Sequence, residues 1–251
     1  MGSKSEIFKD LSYEKFKELA KNKDLDGIEK VGFPVEYRQS KEKFILEDII
    51  NKLSIEGSKS KVILDIGCGC SNLTLMLIEY CRESKHKLIL IDSEEMLNNL
   101  PDYDFITKMQ GYYPKSFEEF IKANREKIDY IITYSVIQYV FNEGSIFDFI
   151  DKSISLLKES GAMLIGDIPN ISKRKRFFSS KQGIEYHKNF TGKNENPVVN
   201  FNYIETNNID DSVILSIILR CRLAGFDAYI IPQDKKLPMA NRREDILIIK
   251  P

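Results

Sequence analysis

The most informative stretch of the chain is KVILDIGCGCSNLTLML at residues 61–77. It begins with an apolar, β-branched run that reaches Asp65, continues through Gly67 and Gly69, and ends in apolar residues at helical spacing. This order predicts a buried strand, a tight turn and a helix. A turn made of glycines lets the backbone approach a ligand closely, and the N-terminus of the following helix presents unpaired N–H groups. The segment therefore predicts a ligand-binding turn at the end of a strand.

A second acid, Asp92, closes the next apolar run at residues 87–91. Its offset from the glycine turn is the one at which an acid binds the two hydroxyls of a ribose in α/β folds. Together, the turn and this acid predict a cofactor that contains a nucleoside.

The composition of the chain excludes several classes of protein. Its 251 residues suit one α/β domain with additions or two small domains, and a hydrophobic content of 42% supplies ample material for a core. Since the net charge is −1, no overall field attracts the protein to nucleic acid or to a membrane. No apolar run approaches the roughly 20 residues that span a bilayer, and the N-terminus lacks the apolar segment of a secretory signal. We therefore expect a cytoplasmic protein without a membrane partner.

The four cysteines do not indicate a metal site. Cys68 and Cys70 share the glycine turn, but neither a second Cys pair nor a His cluster accompanies them. A structural zinc site needs four such ligands. We expect reduced thiols and no bound metal.

Strands and helices alternate through the middle of the chain. Strands are predicted near residues 61–66, 87–91, 104–109, 128–134 and 162–167. Helices are predicted near residues 72–82, 94–100, 116–125 and 145–158. Ser116 with Glu119 fits a capping box, and Gly161 fits a helix stop. Such alternation implies a parallel sheet with helices on both faces.

Different patterns flank this alternating region. Residues 4–30 are predicted to form one or two short amphipathic helices, and longer helices are expected near 40–53 and 211–223. Strands near 227–231 and 245–250 are joined without a helix, so we expect them to pair antiparallel. Residues 169–209 show no clear period, which is typical of a functional lid or of a disordered segment.

The string LDIGCGCSN, the acid Asp92 and the closing antiparallel hairpin together resemble class I S-adenosylmethionine-dependent methyltransferases. The resemblance covers about residues 35–168 and 210–251, and it includes the segment DSEEML after the second strand. It implies a Rossmann-like sheet of seven strands, mostly parallel, with an antiparallel last strand between strands five and six and helices on both faces. The segments DIPNISKRKRFF and LPMANRRED also resemble a subgroup of bacterial methyltransferases associated with small-molecule or surface-carbohydrate modification.

On this basis the chain divides into an N-terminal helical extension at residues 1–34 and a methyltransferase domain at residues 35–251. Within that domain, residues 169–209 are expected to form an insert that covers the active site. The sequence does not indicate the oligomeric state, and a homodimer is compatible with it.

The resemblance also implies roles for individual residues in binding S-adenosylmethionine. The glycine turn would contact the methionine part of the cofactor, and Asp65 would orient that turn or receive the cofactor's ammonium group. Asp92 would bind the ribose hydroxyls, whereas Arg38 is either a surface residue or a clamp on the cofactor carboxylate. The full set of expected cofactor-binding residues is Arg38, Asp65, Gly67, Cys68, Gly69, Asp92, Ser93, Met96, Gln110, Gly111, Tyr134, Ser135, Val136 and Tyr139.

A nicotinamide dehydrogenase is the main rival for the cofactor site. Its fingerprint requires Gly or Ala where this chain has Asn72, and no second nucleotide-binding half is visible. Nucleic-acid methyltransferases often carry an Asn/Asp-Pro-Pro-aromatic segment or a nearby Pro-Cys nucleophile where this chain reads TYSVIQY. Because the chain also has no net basic charge, a nucleic-acid substrate is the minority interpretation.

Candidate groups for the acceptor follow the fifth strand. A basic run at residues 173–176 lies past the end of that strand, where ligands bind in open α/β sheets. A pocket for an anion and an ordinary solvated surface are about equally favoured. The expected acceptor-binding residues are Arg174, Arg176, Arg242 and Arg243. The candidates for a general base are His187 and Asp167.

The sequence therefore predicts S-adenosylmethionine-dependent methyl transfer to an oxygen or nitrogen of a small anionic acceptor, for example a nucleotide-linked or phosphorylated sugar. Two alternatives stay open: an RNA- or protein-modifying methyltransferase, and a non-catalytic subunit that binds S-adenosylmethionine. Turnover of a small acceptor would exclude the non-catalytic subunit. Salt-dependent binding to RNA would favour the RNA-modifying enzyme.

Overall fold

The computed structural model describes residues 8, 10–203 and 205–251. Residues 1–7 and 9, which belong to the predicted N-terminal extension, and residue 204, which belongs to the predicted insert, lie outside the described residues. Within the described ranges, no helix has the length and apolar character needed to cross a membrane. The same ranges contain no group of three or more His, Cys, Asp or Glu side chains that could hold a metal ion.

The described chain folds around one twisted sheet. Its strands are β1 (Val62–Ile66), β2 (Lys87–Asp92), β3 (Ile106–Gln110), β4 (Ile128–Tyr134), β5 (Leu157–Pro169), β6 (Asp227–Pro232) and β7 (Arg243–Ile249). Within the described residues these seven strands lie in the order β3-β2-β1-β4-β5-β7-β6. The first five strands run parallel to their neighbours, and β7 runs antiparallel to both β5 and β6. This arrangement confirms the predicted fold, with the antiparallel last strand between strands five and six.

Helices cover both faces of the sheet. They are α1 (Tyr13–Lys21), α2 (Gly27–Lys30), α3 (Val35–Arg38), α4 (Glu42–Leu53), α5 (Asn72–Glu83), α6 (Glu94–Leu97), α7 (Glu118–Ala123), α8 (Ile137–Glu143), α9 (Ile146–Ile154), α10 (Ile171–Ser179), α11 (Lys181–Thr191) and α12 (Asp211–Leu223). Since successive side chains of a strand point to opposite faces, the sheet separates two apolar layers. In β1, Ile63 packs in the layer that α4 and α5 cover, and Leu64 packs in the layer that α9 and α12 cover.

The predicted helix near residues 145–158 is wrong at its C-terminal end. Helix α9 ends at Ile154, and Gly161, predicted as a helix stop, lies inside β5. A Cβ atom at Gly161 would lie 2.8 Å from the carbonyl oxygen of Lys158 and 3.1 Å from that of Asp129. Glycine is therefore required here by the close approach of β4, next to a register irregularity between Ile128 and Tyr130.

The predicted capping box of Ser116 and Glu119 is also wrong. Ser116 lies in a short 3₁₀ turn, Lys115–Phe117, and its Oγ accepts a hydrogen bond from the backbone N–H of Tyr112 at 3.2 Å. Helix α7 begins after that turn without any side-chain cap. The hydroxyl is thus used by the loop that precedes the turn, and it is not available to the helix.

Residues 169–209 are partly helical, although the sequence shows no clear period there. Asn170 caps α10 by accepting from the N–H groups of Ser172 and Lys173, and Ser180 caps α11 by accepting from that of Gly183. These helices carry aromatic and basic residues in place of an aliphatic stripe, which is why hydrophobic periodicity missed them. The described residues between 192 and 208 form neither helix nor strand.

Candidate active site

A deep cavity lies at the carboxyl ends of β1, β2 and β4. It contains about 1160 Å³ of empty space, including its opening to solvent. All expected cofactor-binding residues line it except Ser93 and Gln110. Ser93 is buried and caps α6 by accepting from the N–H of Met96, and Gln110 is exposed at the end of β3. Ligands bind at this edge of open α/β sheets, between strands whose connections run in opposite directions.

The glycine turn is shaped by the walls of the cavity. Gly67 and Gly69 have positive φ angles of 74° and 61°. A Cβ atom on Gly67 would lie 2.6 Å from a methyl group of Val136, and one on Gly69 would lie 2.5 Å from a methyl group of Val31. Both the backbone conformation and the space available therefore require glycine. The bare turn leaves its backbone open to a ligand in the cavity.

Asp92 stabilises this turn from the next strand. One carboxylate oxygen accepts from the N–H of Gly69 at 2.8 Å, and the other accepts from the N–H of Ser93 at 2.7 Å. Burial raises the pKa of Asp92 to about 6, and the two backbone hydrogen bonds oppose that rise. Each oxygen keeps lone-pair capacity for one further donor, so the carboxylate can hold the turn and a ligand hydroxyl at once.

Asp65 places a buried acid in the cavity. It is 6% exposed, and among the described residues no donor or cation contacts its carboxylate. Burial and, to a smaller extent, the nearby charge of Asp92 raise the pKa of Asp65 to about 8. A buried carboxylate without a partner is unfavourable in the charged form. A cationic ligand group would compensate it.

Cys68 and Cys70 have no reactive character in this site. Burial raises the pKa of the Cys68 thiol well above its usual value, and it raises that of Cys70 to about 11. A thiol that stays protonated is a poor nucleophile and a poor metal ligand. The contribution of Cys68 to the turn is through its backbone, whose carbonyl accepts from the hydroxyl of Thr74.

Arg38 connects the cavity to the end of β5. Its guanidinium group lies 3.7 Å from the centroid of the Phe33 ring and donates through Nη2 to Ser135 and Asp167. The distance from Nη2 to Asp167 Oδ2 is 3.3 Å. Arg38 is only 5% exposed, which excludes the interpretation of Arg38 as a surface residue. Its Nε and Nη1 donors have no protein acceptor among the described residues, which leaves them for a ligand.

Asp167 is held from several sides. Besides Arg38, it accepts from Ser135 Oγ at 2.5 Å, and its Oδ2 lies 3.4 Å from Arg243 Nη1. The Arg243 guanidinium also donates to its backbone carbonyl at 2.9 Å. Both Ser135 and Asp167 have φ near 60°, a conformation that non-glycine residues adopt only when their surroundings hold them there. The network therefore ties the ends of β4 and β5 to the cavity.

The N-terminal helices form a wall of the cavity that the sequence did not predict. Phe16 packs edge-on against Tyr139 with ring centroids 4.9 Å apart, and Tyr13 packs in the same way against Tyr112 at 5.1 Å. The N–H of Tyr13 donates to Glu143 at 3.3 Å. The amphipathic pattern of residues 13–21 indicated a buried face, but nothing in it showed which surface that face covers.

The predicted base and acceptor residues do not line the cavity. His187 lies on α11, with its ring centroid 6.1 Å from that of Phe178. Arg176 pairs with Asp211, and Arg243 contacts Asp167. Arg174 and Arg242 are placed against aromatic rings of the insert. No described residue between 169 and 209 lines the cavity, so the covering wall comes from the N-terminal helices.

Comparisons with known proteins agree with this architecture. No family model matches the chain, and no curated protein matches it in sequence. Among solved structures, it is similar to the plantazolicin methyltransferase BpumL in complex with a monoazolic desmethylPZN analog and SAH, with 13% identity, 99% of each chain covered and a TM-score of 0.56. It is also similar to the CurJ carbon methyltransferase, with 13% identity, 98% of this chain and 66% of that chain covered, and a TM-score of 0.51.

A third similar structure is geranyl diphosphate C-methyltransferase from Streptomyces coelicolor A3(2), with 11% identity, 93% of this chain and 87% of that chain covered, and a TM-score of 0.50. At such low identities the similarity concerns the fold. The chain has the Rossmann-like fold of S-adenosylmethionine-dependent methyltransferases.

Proposed function

We propose that this chain is a methyltransferase that uses S-adenosylmethionine and modifies an oxygen or nitrogen of a small anionic acceptor. The observation that carries the proposal is Asp65. Its buried carboxylate has no partner among the described residues, and it lies in a cavity beside a glycine turn that admits no side chain. In the methionine part of the cofactor, the ammonium group would pair with that carboxylate. The rest of the amino-acid moiety would pack against the backbone of that turn.

The remaining polar groups of the cavity fit the same cofactor. When bound, S-adenosylmethionine supplies a sulfonium methyl group that is already activated for displacement. Asp92 would accept from the ribose hydroxyls while it holds the turn. Arg38 would donate to the cofactor carboxylate through its two unused nitrogen positions, since a planar guanidinium suits a carboxylate.

The walls of the cavity contribute by positioning and by excluding water. Tyr13, Phe16 and Phe33 line it from the N-terminal region, and Tyr134 and Tyr139 line it from the end of β4 and from α8. Because the methyl group is activated by its sulfonium, correct placement of the acceptor supplies much of the rate enhancement. These aromatic groups would enclose the reacting atoms without adding charge to them.

For the general base, His187 stays the proposed residue and Asp167 receives a different role. The oxygens of Asp167 contact Arg38, Ser135 and Arg243, so we assign it to positioning Arg38. If His187 deprotonates the acceptor, His187→Ala lowers kcat by roughly 10²–10⁴ and leaves cofactor affinity unchanged. Asp167→Asn instead weakens cofactor binding. Full turnover by His187→Ala would remove this residue from the mechanism.

The similarity to BpumL and to geranyl diphosphate C-methyltransferase supports a small acceptor, because their structures are described with small ligands. The cofactor assignment is tested by calorimetry with the full chain. S-adenosylmethionine and S-adenosylhomocysteine should bind, and NAD should give no heat. Tight binding of NAD, or no binding of either sulfur compound, would contradict the proposed function.

A further inference from the structure

Two arginines beside the end of β5 lack an acidic partner. Among the described residues, no carboxylate lies within 4.0 Å of the guanidinium group of Arg174 or Arg242. The other basic residues of 173–176 and 242–243 each have one: Lys173 pairs with Glu244, Lys175 with Glu205, Arg176 with Asp211, and Arg243 with Asp167. Within these two basic runs, only Arg174 and Arg242 keep a positive charge that no carboxylate in the described part of the chain neutralises.

Aromatic rings hold these two guanidinium groups in place. The Cζ atom of Arg174 lies 5.4 Å from the centroid of Phe178, and that of Arg242 lies 5.9 Å from the same centroid and 5.7 Å from that of Tyr186. Contact with a ring face restricts the orientation of a guanidinium group without neutralising it. Two like charges near one ring repel each other, and a bound anion would relieve that repulsion.

Arg243, the residue that follows Arg242, shares one carboxylate with Arg38 of the proposed active site. Arg242 immediately precedes Arg243, whose guanidinium group contacts the carboxylate of Asp167 at 3.4 Å. Arg38 contacts the same carboxylate from the cavity at 3.3 Å. Helix α10, which carries Arg174, begins directly after β5. The two arginines therefore lie on segments that adjoin the residues in contact with Asp167 at the end of β5.

Exposed aromatic surface lies next to the pair. Tyr186 and Phe190, one turn apart on α11, stack with an interplanar angle of 5° and centroids 6.1 Å apart. They are 39% and 68% exposed, so the two stacked rings present apolar surface to solvent. Such rings bind planar heterocycles by stacking, with little dependence on the identity of the base.

We infer that Arg174 and Arg242, with Tyr186 and Phe190, form the acceptor subsite and that the acceptor carries a nucleoside phosphate. The arginines bind the phosphate, and the exposed rings stack on the base. The inference rests on the proposed function, because that function makes the bound ligand the methyl acceptor. It narrows the anionic acceptor to one that combines phosphate and a planar ring.

The test is titration calorimetry of the full chain with uridine 5′-monophosphate, uridine and inorganic phosphate. S-adenosylhomocysteine is present at saturation, so that the nucleotide cannot enter the cofactor cavity. We expect the monophosphate to bind at least about tenfold more tightly than uridine or phosphate. Arg174→Gln and Arg242→Gln should each weaken its binding by about tenfold, since each removes a charge-assisted contact. Phe190→Ala should weaken binding of the nucleotide and leave that of phosphate unchanged, because the Phe190 ring contacts neither guanidinium group.

Arg82→Gln is the matched control, because Arg82 is an exposed arginine paired with Glu79 on α5. It should leave nucleotide binding unchanged. Unaltered affinity for S-adenosylhomocysteine in every variant shows that the fold is intact. Equal nucleotide affinity of the wild type and of both arginine variants would overturn the inference, as would phosphate binding as tightly as the nucleotide. Failure of S-adenosylhomocysteine to bind the wild type would instead overturn the proposed function.

Discussion

Replacing Asp65 with Asn should stabilise the ligand-free protein at neutral pH and weaken its binding of S-adenosylmethionine. These opposite effects follow from one feature, a buried carboxylate that has no partner until a ligand arrives. A residue kept only for packing would not show both effects. The substitution keeps the size of the side chain and removes its capacity for negative charge.

The magnitude follows from the pKa of Asp65. Burial raises it to about 8, whereas an aspartate in the unfolded chain titrates near about 3.9. Between these values the folded protein retains a proton that the unfolded chain has released, so stability falls as the pH rises from about 4 to about 8. At about 1.4 kcal/mol per pKa unit, the cost at neutral pH is on the order of 4 kcal/mol. Asn does not titrate and removes this cost.

The same substitution should impair cofactor binding. The ammonium group of the cofactor would lose its charged partner, and we expect S-adenosylmethionine to bind more weakly by about 1–3 kcal/mol. Urea unfolding of the ligand-free wild type and Asp65→Asn, from about pH 5 to about pH 8.5, measures the first effect. Calorimetry measures the second.

Asp129→Asn is the control, since Asp129 is a buried acid whose hydrogen bonds from Lys158, Val62 and Lys61 outweigh burial and lower its pKa. This variant should lose stability by a constant amount over the same pH range. The free energy of unfolding of Asp65→Asn should exceed that of the wild type by an amount that grows between about pH 5 and about pH 8. A difference that stays constant over this range would refute the reasoning. Undiminished cofactor affinity would refute it equally.

Three further substitutions test the turn, the ribose contact and the buried ion pairs. Gly67→Ala should reduce S-adenosylmethionine affinity at least about tenfold in calorimetry and lower the free energy of unfolding by about 1–3 kcal/mol. Gly57→Ala is its control, because Gly57 has a similar φ of 73° but no atom within 4 Å of the position that a Cβ would take. The control should lose stability and keep its cofactor affinity. Asp92→Ala should weaken cofactor binding by roughly 1–3 kcal/mol in calorimetry. The ribose hydroxyls would lose an acceptor, and the turn would lose the hydrogen bond from Gly69 N–H to the carboxylate. Lys52→Met leaves the buried carboxylate of Asp245 without its cation and should destabilise the protein by about 3–5 kcal/mol at neutral pH in urea unfolding. Because burial already raises the pKa of Asp245, part of that loss should be recovered at low pH, and a loss that does not depend on pH would contradict the assignment.

Much of the fold and of the cofactor cavity could be predicted because the signals are local. Gly67 and Gly69 need positive φ angles wherever a strand turns tightly into a helix, so the chain itself marks the turn. The alternation of strands and helices leaves few topologies, since parallel strands require crossover helices of one hand. Asp92 ends the second strand, and its carboxylate accepts from the N–H of Gly69 in the turn, a contact that the sequence did not predict.

The surroundings of charged residues were decided by tertiary structure alone. Arg174, Arg176 and Arg243 look alike in sequence, but only the fold brings Asp211 to Arg176 and Asp167 to Arg243. Asp167 itself looked like a candidate base, yet its neighbours come from residues 32 to 129 positions away. The sequence records which side chains carry charge. Contacts between distant segments decide which charges are neutralised and which carboxylate is left buried without a partner. The reason is that Coulomb energies depend on distance in space and desolvation energies depend on burial.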